Sequence, residues 1–139
     1  MRILADTNVI SELQKPSPDP RLVAFFDFQQ GSDTFLSVMT IGEIQYGLIR
    51  MPTGRRKTVL EDWLNRLKQV YGNRILPIDL ATSEIWAEIA ARLHAHGENI
   101  SMTDSLLAAT AMRHGLHLAT RNVRHFVSTG VLVVNPWQE

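Results

Sequence analysis

The sequence predicts an α/β fold of three layers, with helices on both faces of a short, mainly parallel central sheet. Short apolar segments alternate along the chain with helical segments, and this order is typical of a parallel sheet with crossover connections. The apolar segments lack a regular polar and apolar alternation, as expected of strands covered on both faces. With 139 residues, of which 45% are hydrophobic, the chain has the size of one domain with one core. We therefore expect a single domain over residues 1–139.

The first half of the chain is predicted to hold three strands and four helices. Strands are expected at residues 2–5, 34–39 and 75–79, which are short apolar runs rich in β-forming residues. Helices are expected at about 7–15, 21–30, 40–50 and 59–71. In the last of these, apolar residues recur at steps of three and four: Leu60, Trp63, Leu64, Leu67 and Tyr71. The prolines of "KPSPDP" break the chain, and "MPTGRRK" is predicted to be a turn.

The second half is predicted to hold two helices and two further strands. The spacing of Trp86, Ile89 and Leu93 predicts a helix that stops at Gly97. The Ala-rich segment "SMTDSLLAATAMRHG" predicts a second helix that Gly115 ends. The segments "LHLAT" at 116–120 and "VLVVN" at 131–135 supply the strands. Helices thus alternate with the strands along most of the chain, as expected of the three-layer fold.

The composition excludes several classes of site and gives no sign of a membrane. Lys plus Arg number 14 and Asp plus Glu number 14, so a polyanionic partner would need a local basic patch. The chain has no cysteine, which excludes disulfides and thiolate metal sites. Its first residues do not form a secretory signal, and no apolar run reaches membrane-spanning length. We expect a soluble cytoplasmic protein without a membrane partner.

Three acidic residues stand at the predicted starts of helices. Asp6 follows the first strand, Glu43 completes a Thr-x-x-Glu capping box with Thr40, and Asp104 stands three residues after Ser101. Each acid alone is explained by helix-start chemistry, because a carboxylate suits the positive end of the helix dipole. The patterns therefore predict caps first, and a shared site only if further features support it.

Two features favour a shared site. The carboxyl ends of parallel strands face a common crevice, and Asp6 and Glu43 follow the ends of two strands, while the helix start at Asp104 can face the same edge. Ser and Thr residues adequate for capping already stand beside the acids. Three carboxylates in one crevice repel each other unless a cation or protons neutralise them. Oxygen ligands without His or Cys favour Mg²⁺ or Mn²⁺ over zinc.

Polar residues near these acids are candidates for supporting roles. The segment "TRN" places Thr120, Arg121 and Asn122 at the end of another strand. Asn122 could bind a metal through its carbonyl oxygen or orient a bound water, and a turn or helix cap explains it equally well. Asn8 could fix the rotamer of a neighbouring acid or satisfy backbone amides in the first helical turn.

These segments together resemble the PIN-domain family of small metal-dependent nucleases, especially the VapC and FitB type of toxin from bacterial toxin–antitoxin pairs. The matching segments run in the family's order: "LADTNVISEL", "SVMTIGEIQYGL", "SMTDSLLAATAMRHGLHLATRN", "VRHF" and "VLVVNPW". The resemblance implies a PIN-like fold, and implies that Asp6, Glu43 and Asp104 are catalytic acids that coordinate Mg²⁺ or Mn²⁺. It also implies ribonuclease activity, a homodimer and a small antitoxin that covers the site, with which larger oligomers could form.

The chain departs from the family pattern at one place. Many members of the family carry a further acid at the position of Asn122 or of His125, and neither residue is acidic here. This departure favours one firmly held ion, with a second arriving only with the substrate. We expect His125 to pack or to lie on the surface rather than to act as a ligand or base.

A dication held by Asp6, Asp104 and Glu43 would support hydrolysis of phosphodiester bonds. It would neutralise the phosphate charge and lower the pKa of a bound water, and in-line attack would leave a 5′-phosphate and a 3′-hydroxyl. Candidates for RNA binding are Arg121, next to the predicted crevice, and Arg55 and Arg56 in "RMPTGRRK". A solvated charged turn is the commoner meaning of such a basic run.

A non-catalytic alternative remains open. The acidic pocket could instead dock an Arg or Lys of a partner, and an antitoxin would use the same pocket. Divalent-dependent nuclease activity of the free protein distinguishes the two functions. The residues by themselves do not separate RNA from DNA as the substrate, nor do they identify the RNA target.

Overall fold

A five-stranded parallel sheet forms the centre of the protein in a computed structural model that describes residues 1–138. Its strands run in the order β3-β2-β1-β4-β5, and each neighbouring pair is parallel. The strand bounds are β1 Ile3–Ala5, β2 Thr34–Ser37, β3 Ile75–Leu76, β4 His117–Ala119 and β5 Val133–Val134. The predicted mainly parallel sheet is confirmed, with strands shorter than the apolar segments suggested.

Helices cover both faces of this sheet. Their bounds are α1 Thr7–Leu13, α2 Pro20–Asp27, α3 Val38–Arg50, α4 Arg55–Tyr71, α5 Leu80–Ala95, α6 Met102–His114 and α7 Val123–Phe126. Successive strand residues point to opposite faces, and Leu4 and Ala5 accordingly belong to different apolar clusters. Leu4 packs with residues of α5 and α6, whereas Ala5 packs with residues of α1 and α2. The predicted three-layer arrangement is confirmed.

The strand order reverses between β1 and β4, which creates a crevice at their carboxyl ends. Ala5 is in register with Ala119, so both strands end at the same level. The backbone amide of Asp6 donates to the carbonyl of Ala119 at 2.9 Å and extends the pairing by one residue. The residues that directly follow these two strands therefore face each other across the crevice.

The start of α3 differs from the prediction. The helix begins at Val38, and the Ser37 hydroxyl caps it by accepting from the Met39 amide at 3.0 Å. Thr40 is buried within the first turn, so the predicted capping box of Thr40 and Glu43 is wrong. The apolar side chains of Val38 and Met39 suggested a longer strand, but the serine before them supplies the stronger helix-start signal.

Two further boundaries differ for local reasons. The segment predicted as a turn before α4 already contains the first helical turn, because Arg55, Arg56 and Lys57 lie inside α4. The third strand ends at Leu76, and Pro77 follows it, which has no amide to donate to a sheet. The predicted stops at Gly97 and Gly115 hold, since both glycines have positive φ just after α5 and α6.

Within residues 1–138, no helix combines the length and the apolar character that crossing a bilayer would require.

Candidate active site

Asp6 lies at the reversal point of the sheet, as the first residue after β1. Its side chain is held by three donors and its residue surface is only 8% exposed. Oδ1 accepts from the Thr7 amide at 2.7 Å, while Oδ2 accepts from the Thr120 hydroxyl at 2.7 Å and from the Asn8 amide group at 3.3 Å. Asp6 therefore caps α1 and also forms the floor of the crevice.

The hydrogen bonds of Asp6 leave one acceptor position open. Each carboxylate oxygen offers two acceptor positions. Two donors occupy those of Oδ2, and one donor occupies one of those of Oδ1. Within residues 1–138, the remaining position on Oδ1 is the one that can take a further donor or a metal ion.

Burial raises the pKa of the Asp6 carboxyl above its usual value. The hydrogen bonds from Thr120 and from the Thr7 amide oppose this rise, and the negative charges of Asp104 and Glu43 add to it. The ionised form of Asp6 is thus less favourable in the protein alone than in water, because the carboxyl is shielded from water and lies near two other carboxylates. A bound cation would favour the ionised form.

Thr7 joins Glu43 to Asp6. Glu43 is exposed on α3, and its Oε1 accepts a hydrogen bond from the Thr7 hydroxyl at 2.8 Å. The backbone amide of the same threonine binds Asp6, and its hydroxyl lies 3.3 Å from that of buried Thr40. From the sequence alone, Thr7 is one of the Ser and Thr residues beside the acids that are adequate for capping. Its position directly after Asp6 was the available signal for a role at the site.

Asp104 approaches the site from α6. Ser101 caps this helix by accepting from the Asp104 amide at 3.0 Å, so the predicted cap at Ser101 is confirmed. The Asp104 carboxylate lies 3.4 Å from Nδ1 of His125, and its side chain is 27% exposed. The His125 side chain is 56% exposed, in line with the expected surface position. Its contact with a candidate catalytic acid was not expected from the sequence.

The three acids approach one another without closing around one point. Among residues 1–138, no group of three His, Cys, Asp or Glu side chains is close enough to hold a metal ion directly. Asp104 and Glu43 nevertheless lie near enough to raise the pKa of Asp6 by their charge. Mg²⁺ usually keeps several waters and binds through one or two carboxylates. The donor set therefore fits a hydrated hard dication at Asp6, with the other acids acting through its waters.

Thr120 and Asn8 lie at the site, as predicted for supporting residues. The fully buried Thr120 hydroxyl donates to Asp6 and accepts from the Asn122 backbone amide at 3.0 Å. The Asn8 side chain contacts Asp6 and Thr120, and its carbonyl oxygen accepts from the Arg121 amide at 3.4 Å. The Asn122 side chain makes no capping hydrogen bond to α7, so the predicted cap is not formed.

The predicted RNA-binding arginines lie at different distances from the acids. The Arg121 guanidinium stacks over the Trp137 ring at 4.2 Å, close to the crevice that its backbone helps to form. Arg55 and Arg56 lie beyond the far end of α3, a helix that is about 20 Å long at 1.5 Å per residue. No hydrogen bond or ion pair within residues 1–138 joins them to the acids.

Comparison with protein families gives a match over most of the chain. Residues 3–131 match the PIN domain family. The chain is 38% identical to the VapC ribonuclease Y4jK of Sinorhizobium fredii over 137 residues, which cover 98% of each protein. It is also 38% identical to toxin FitB of Neisseria gonorrhoeae over 138 residues, which cover 99% of each.

A solved structure has nearly the same fold. The crystal structure of FitAcB from Neisseria gonorrhoeae superposes with a TM-score of 0.92 at 38% sequence identity, and the alignment covers 99% of both chains. Because the match spans the whole chain, the order of strands and helices is shared throughout, including the reversal point at which Asp6 lies.

Proposed function

Because the chain belongs to the PIN domain family, we propose that it is a metal-dependent endoribonuclease and the toxin of a toxin–antitoxin pair. Its similarity to a VapC ribonuclease and to toxin FitB over nearly their full lengths supports both parts of this function. A single nuclease domain over residues 1–139 accounts for the activity, and we expect it to act in the cytoplasm, where its RNA substrate lies.

The buried Asp6 carboxylate is the observation that carries the catalytic part of the proposal. Helix capping needs neither a charged side chain nor the two further acids that disfavour its ionisation. These effects, which disfavour the ionised carboxylate, occur at the crevice where open α/β folds place their ligands. A cation that offsets the three negative charges explains the arrangement, whereas capping alone does not.

Asp6 would hold the ion through Oδ1, with Asp104 and Glu43 acting through the waters bound to the ion. When bound, Mg²⁺ or Mn²⁺ would draw charge from the scissile phosphate and lower the pKa of a nearby water. Thr120 and Asn8 keep the Asp6 carboxylate in one orientation. Glu43 is the most exposed of the acids, and its hydrogen bond from Thr7 holds it where it can orient the attacking water and accept its proton.

We expect the antitoxin to act on the same site. Three carboxylates around a crevice attract a basic side chain, so an Arg or Lys of a small antitoxin can occupy the position of the ion. The homodimer implied by the family resemblance would present two such sites. A non-catalytic module that only docks a basic segment would share this chemistry, and the assay below separates the two functions.

A cleavage assay tests the proposed activity. The purified protein, free of antitoxin, is incubated with tRNA, rRNA and mRNA in Mg²⁺, Mn²⁺ or EDTA. Cleavage should need a divalent ion, and Asp6→Asn or Asp104→Asn should lower its rate by about 10²-fold or more, since each removes a charge that acts at the reacting phosphate. The exposed Asp27, at the end of α2, supplies the matched control Asp27→Asn.

The same assay can overturn the proposal. Cleavage that continues in EDTA, or at full rate in a folded Asp104→Asn protein, would remove the metal-dependent mechanism. Absence of any cleavage, together with tight binding of a basic peptide, would favour the docking module.

A further inference from the structure

A recess of about 360 Å³ lies beside Asp104, and Glu43 is not among the residues that line it. It opens between the segment that joins α5 to α6 and the segment that begins with α7. Leu93 and Ile100 give it an apolar part. The polar residues that line it are Glu98, Asn99, Ser101, Asp104, Arg124, His125 and Ser128. The proposed catalytic centre therefore has an adjoining cavity with both apolar and polar walls.

Arg124 is an unpaired cation on the lining of this recess. It is exposed, and none of the ion pairs formed within residues 1–138 includes it. Arg121, three residues earlier, instead stacks on Trp137 and lies near the charges of Glu12 and Asp19. Arg124 is therefore the better placed of the two to contact an anion next to Asp104, although no local sequence pattern distinguishes it.

The anchoring of α7 fixes the position of Arg124. The Asn122 amide is bound by the buried Thr120 hydroxyl, which also binds Asp6. At the other end of α7, Phe126 is fully buried in the core. The short helix that carries Arg124 is thus held at both ends. This fixes the backbone position of Arg124 beside the acidic site.

The size and lining of the recess fit one nucleotide. Its volume is at the lower end of the range of about 300–1,000 Å³ for small-ligand sites. Leu93 and Ile100 can contact a base or the carbon atoms of a sugar, and Ser101, Asn99 and Ser128 offer hydrogen bonds to its polar edges. A guanidinium beside the cavity matches phosphate oxygens.

We infer that this recess is a substrate subsite that binds the nucleotide adjoining the scissile phosphate, with Arg124 on the phosphate of that nucleotide. The inference rests on the proposed ribonuclease function and adds a binding residue and a place for the RNA chain. Arg124 contributes binding energy to the RNA chain, whereas Asp6, Glu43 and Asp104 act on the reacting phosphate.

RNA binding by an inactive protein tests the subsite without cleavage. Affinity for a short single-stranded RNA is measured by fluorescence anisotropy in the Asp6→Asn background at several salt concentrations. Arg124→Ala should weaken binding about tenfold. The negative slope of the logarithm of the association constant against the logarithm of the salt concentration should become shallower by about 0.7, the value for one phosphate contact on a single strand. Arg124→Lys should retain most of the slope because it keeps the charge.

A control variant and a cavity-filling variant distinguish the effect of the Arg124 charge from the effect of the recess itself. Arg113→Ala removes another exposed arginine, in the last turn of α6, at the end of that helix opposite Asp104, and should leave the affinity unchanged. Ser128→Tyr fills the recess from an exposed position without changing charge, and should also weaken binding. In the active protein, Arg124→Ala should raise KM for RNA with little change in kcat.

The outcomes distinguish this inference from the proposed function. If the active protein cleaves RNA but Arg124→Ala and Ser128→Tyr leave affinity and salt slope unchanged, the subsite is refuted and the nuclease stands. If Arg124→Ala weakens only the binding of the antitoxin, the recess is a protein contact and the inference is equally refuted. If the protein neither binds nor cleaves RNA, both proposals fail.

Discussion

Thr7 connects two acidic side chains that lie far apart in sequence. Its backbone amide binds Asp6 and its hydroxyl binds Glu43, which is 36 positions away. An exposed glutamate normally samples many rotamers, and a hydrogen bond to its carboxylate selects one of them. Thr7 is therefore a positioning residue for Glu43, in addition to its place in the first turn of α1.

Thr7→Val should lower the activity while leaving the fold intact. Valine keeps the branched shape of threonine and loses only the hydroxyl, so Glu43 is released from its rotamer. A hydrogen bond to an exposed charged group contributes about 1 kcal/mol, so we expect about a fivefold loss in kcat/KM. Steady-state cleavage of a defined RNA measures the effect.

Thr7→Ser is the matched control, because it keeps the hydroxyl and should retain most of the activity. Melting temperatures of both variants, measured alongside, should lie close to that of the parent protein. A loss in Thr7→Ser without a loss in Thr7→Val would show that the methyl group, rather than the hydrogen bond, matters.

Thr120 is a second positioning residue, and its hydroxyl is fully used. It donates to Asp6 Oδ2 and accepts from the Asn122 amide, in a position closed to water. Thr120→Val should destabilise the protein by about 1–3 kcal/mol, since a buried carboxylate and a backbone amide both lose a partner. Chemical denaturation measures this loss, and Thr120→Ser should show a much smaller one.

If instead Thr120→Val unfolds at the same denaturant concentration as the parent, the hydroxyl is not needed to satisfy Asp6. That outcome would also weaken the explanation of how the carboxylate tolerates its buried position.

At the scale of elements, helix ends place the acids. Asp6 caps α1, Ser101 caps α6 one turn before Asp104, and Ser37 sets the start of α3 so that Glu43 falls in its second turn. A helix that began at a different residue would turn its acid to a different face, because each residue adds about 100° of rotation. The caps therefore fix the geometry of the site as well as the stability of the helices.

Gly115 should be the more sensitive of two helix-associated glycines. It ends α6 with φ of 65°, a left-handed conformation that costs an L-residue about 1–2 kcal/mol, so Gly115→Ala should destabilise by about 1 kcal/mol. Gly47 lies inside α3 and an added Cβ would meet no atom within 4 Å, so Gly47→Ala should stabilise by about 0.5–1 kcal/mol. Thermal unfolding of both variants gives the comparison.

The two glycine variants serve as controls for each other, since the same methyl group is added in each. A stabilising Gly115→Ala would contradict the assigned left-handed end of α6, and a strongly destabilising Gly47→Ala would contradict the open surface beside α3.

For the whole molecule, the fold gathers negative charge where water is partly excluded. Because the pKa of Asp6 is raised in the folded protein, the folded state holds this proton more tightly than the unfolded state. This contribution to the free energy of unfolding is fully present below the ordinary aspartate pKa of about 3.9. It is lost as pH rises through the raised pKa, so metal-free Asp6 lowers stability near neutral pH.

Mn²⁺ or Mg²⁺ should therefore stabilise the protein in a pH-dependent way. At ten times its dissociation constant a ligand adds about 1.4 kcal/mol, which corresponds to a rise in Tm of about 5 °C for a domain of this size. The rise should be larger at pH 7.5 than at pH 4.5, because protons compete with the metal for Asp6. Scanning calorimetry at both pH values checks this.

Asp6→Asn supplies the control for the metal effect. Its Tm should respond little to the metal at either pH, since the buried charge is absent. An equal rise in Tm for the parent and for Asp6→Asn would mean that the ion binds elsewhere, and the proposed centre would be refuted.

The sequence by itself determined the layered parallel fold, the helix cap at Ser101 and the helix end at Gly115. These features depend on hydrophobic periodicity and on hydrogen bonds or dihedral angles within a few residues, which neighbouring side chains fix locally. It also placed Asp6 at a sheet edge, because the acid directly follows an apolar strand. The family resemblance added the pairing of Asp6 with Glu43 and Asp104.

Only the tertiary structure decided which side chains meet. Thr120 binds Asp6 across 114 positions of sequence, and the contact between His125 and Asp104 joins two helices. Such contacts depend on strand order, helix packing and rotamers that the whole core sets together, and no local pattern encodes them. The polar connections of the site thus come from the packed fold, whereas its acids could be read from the chain.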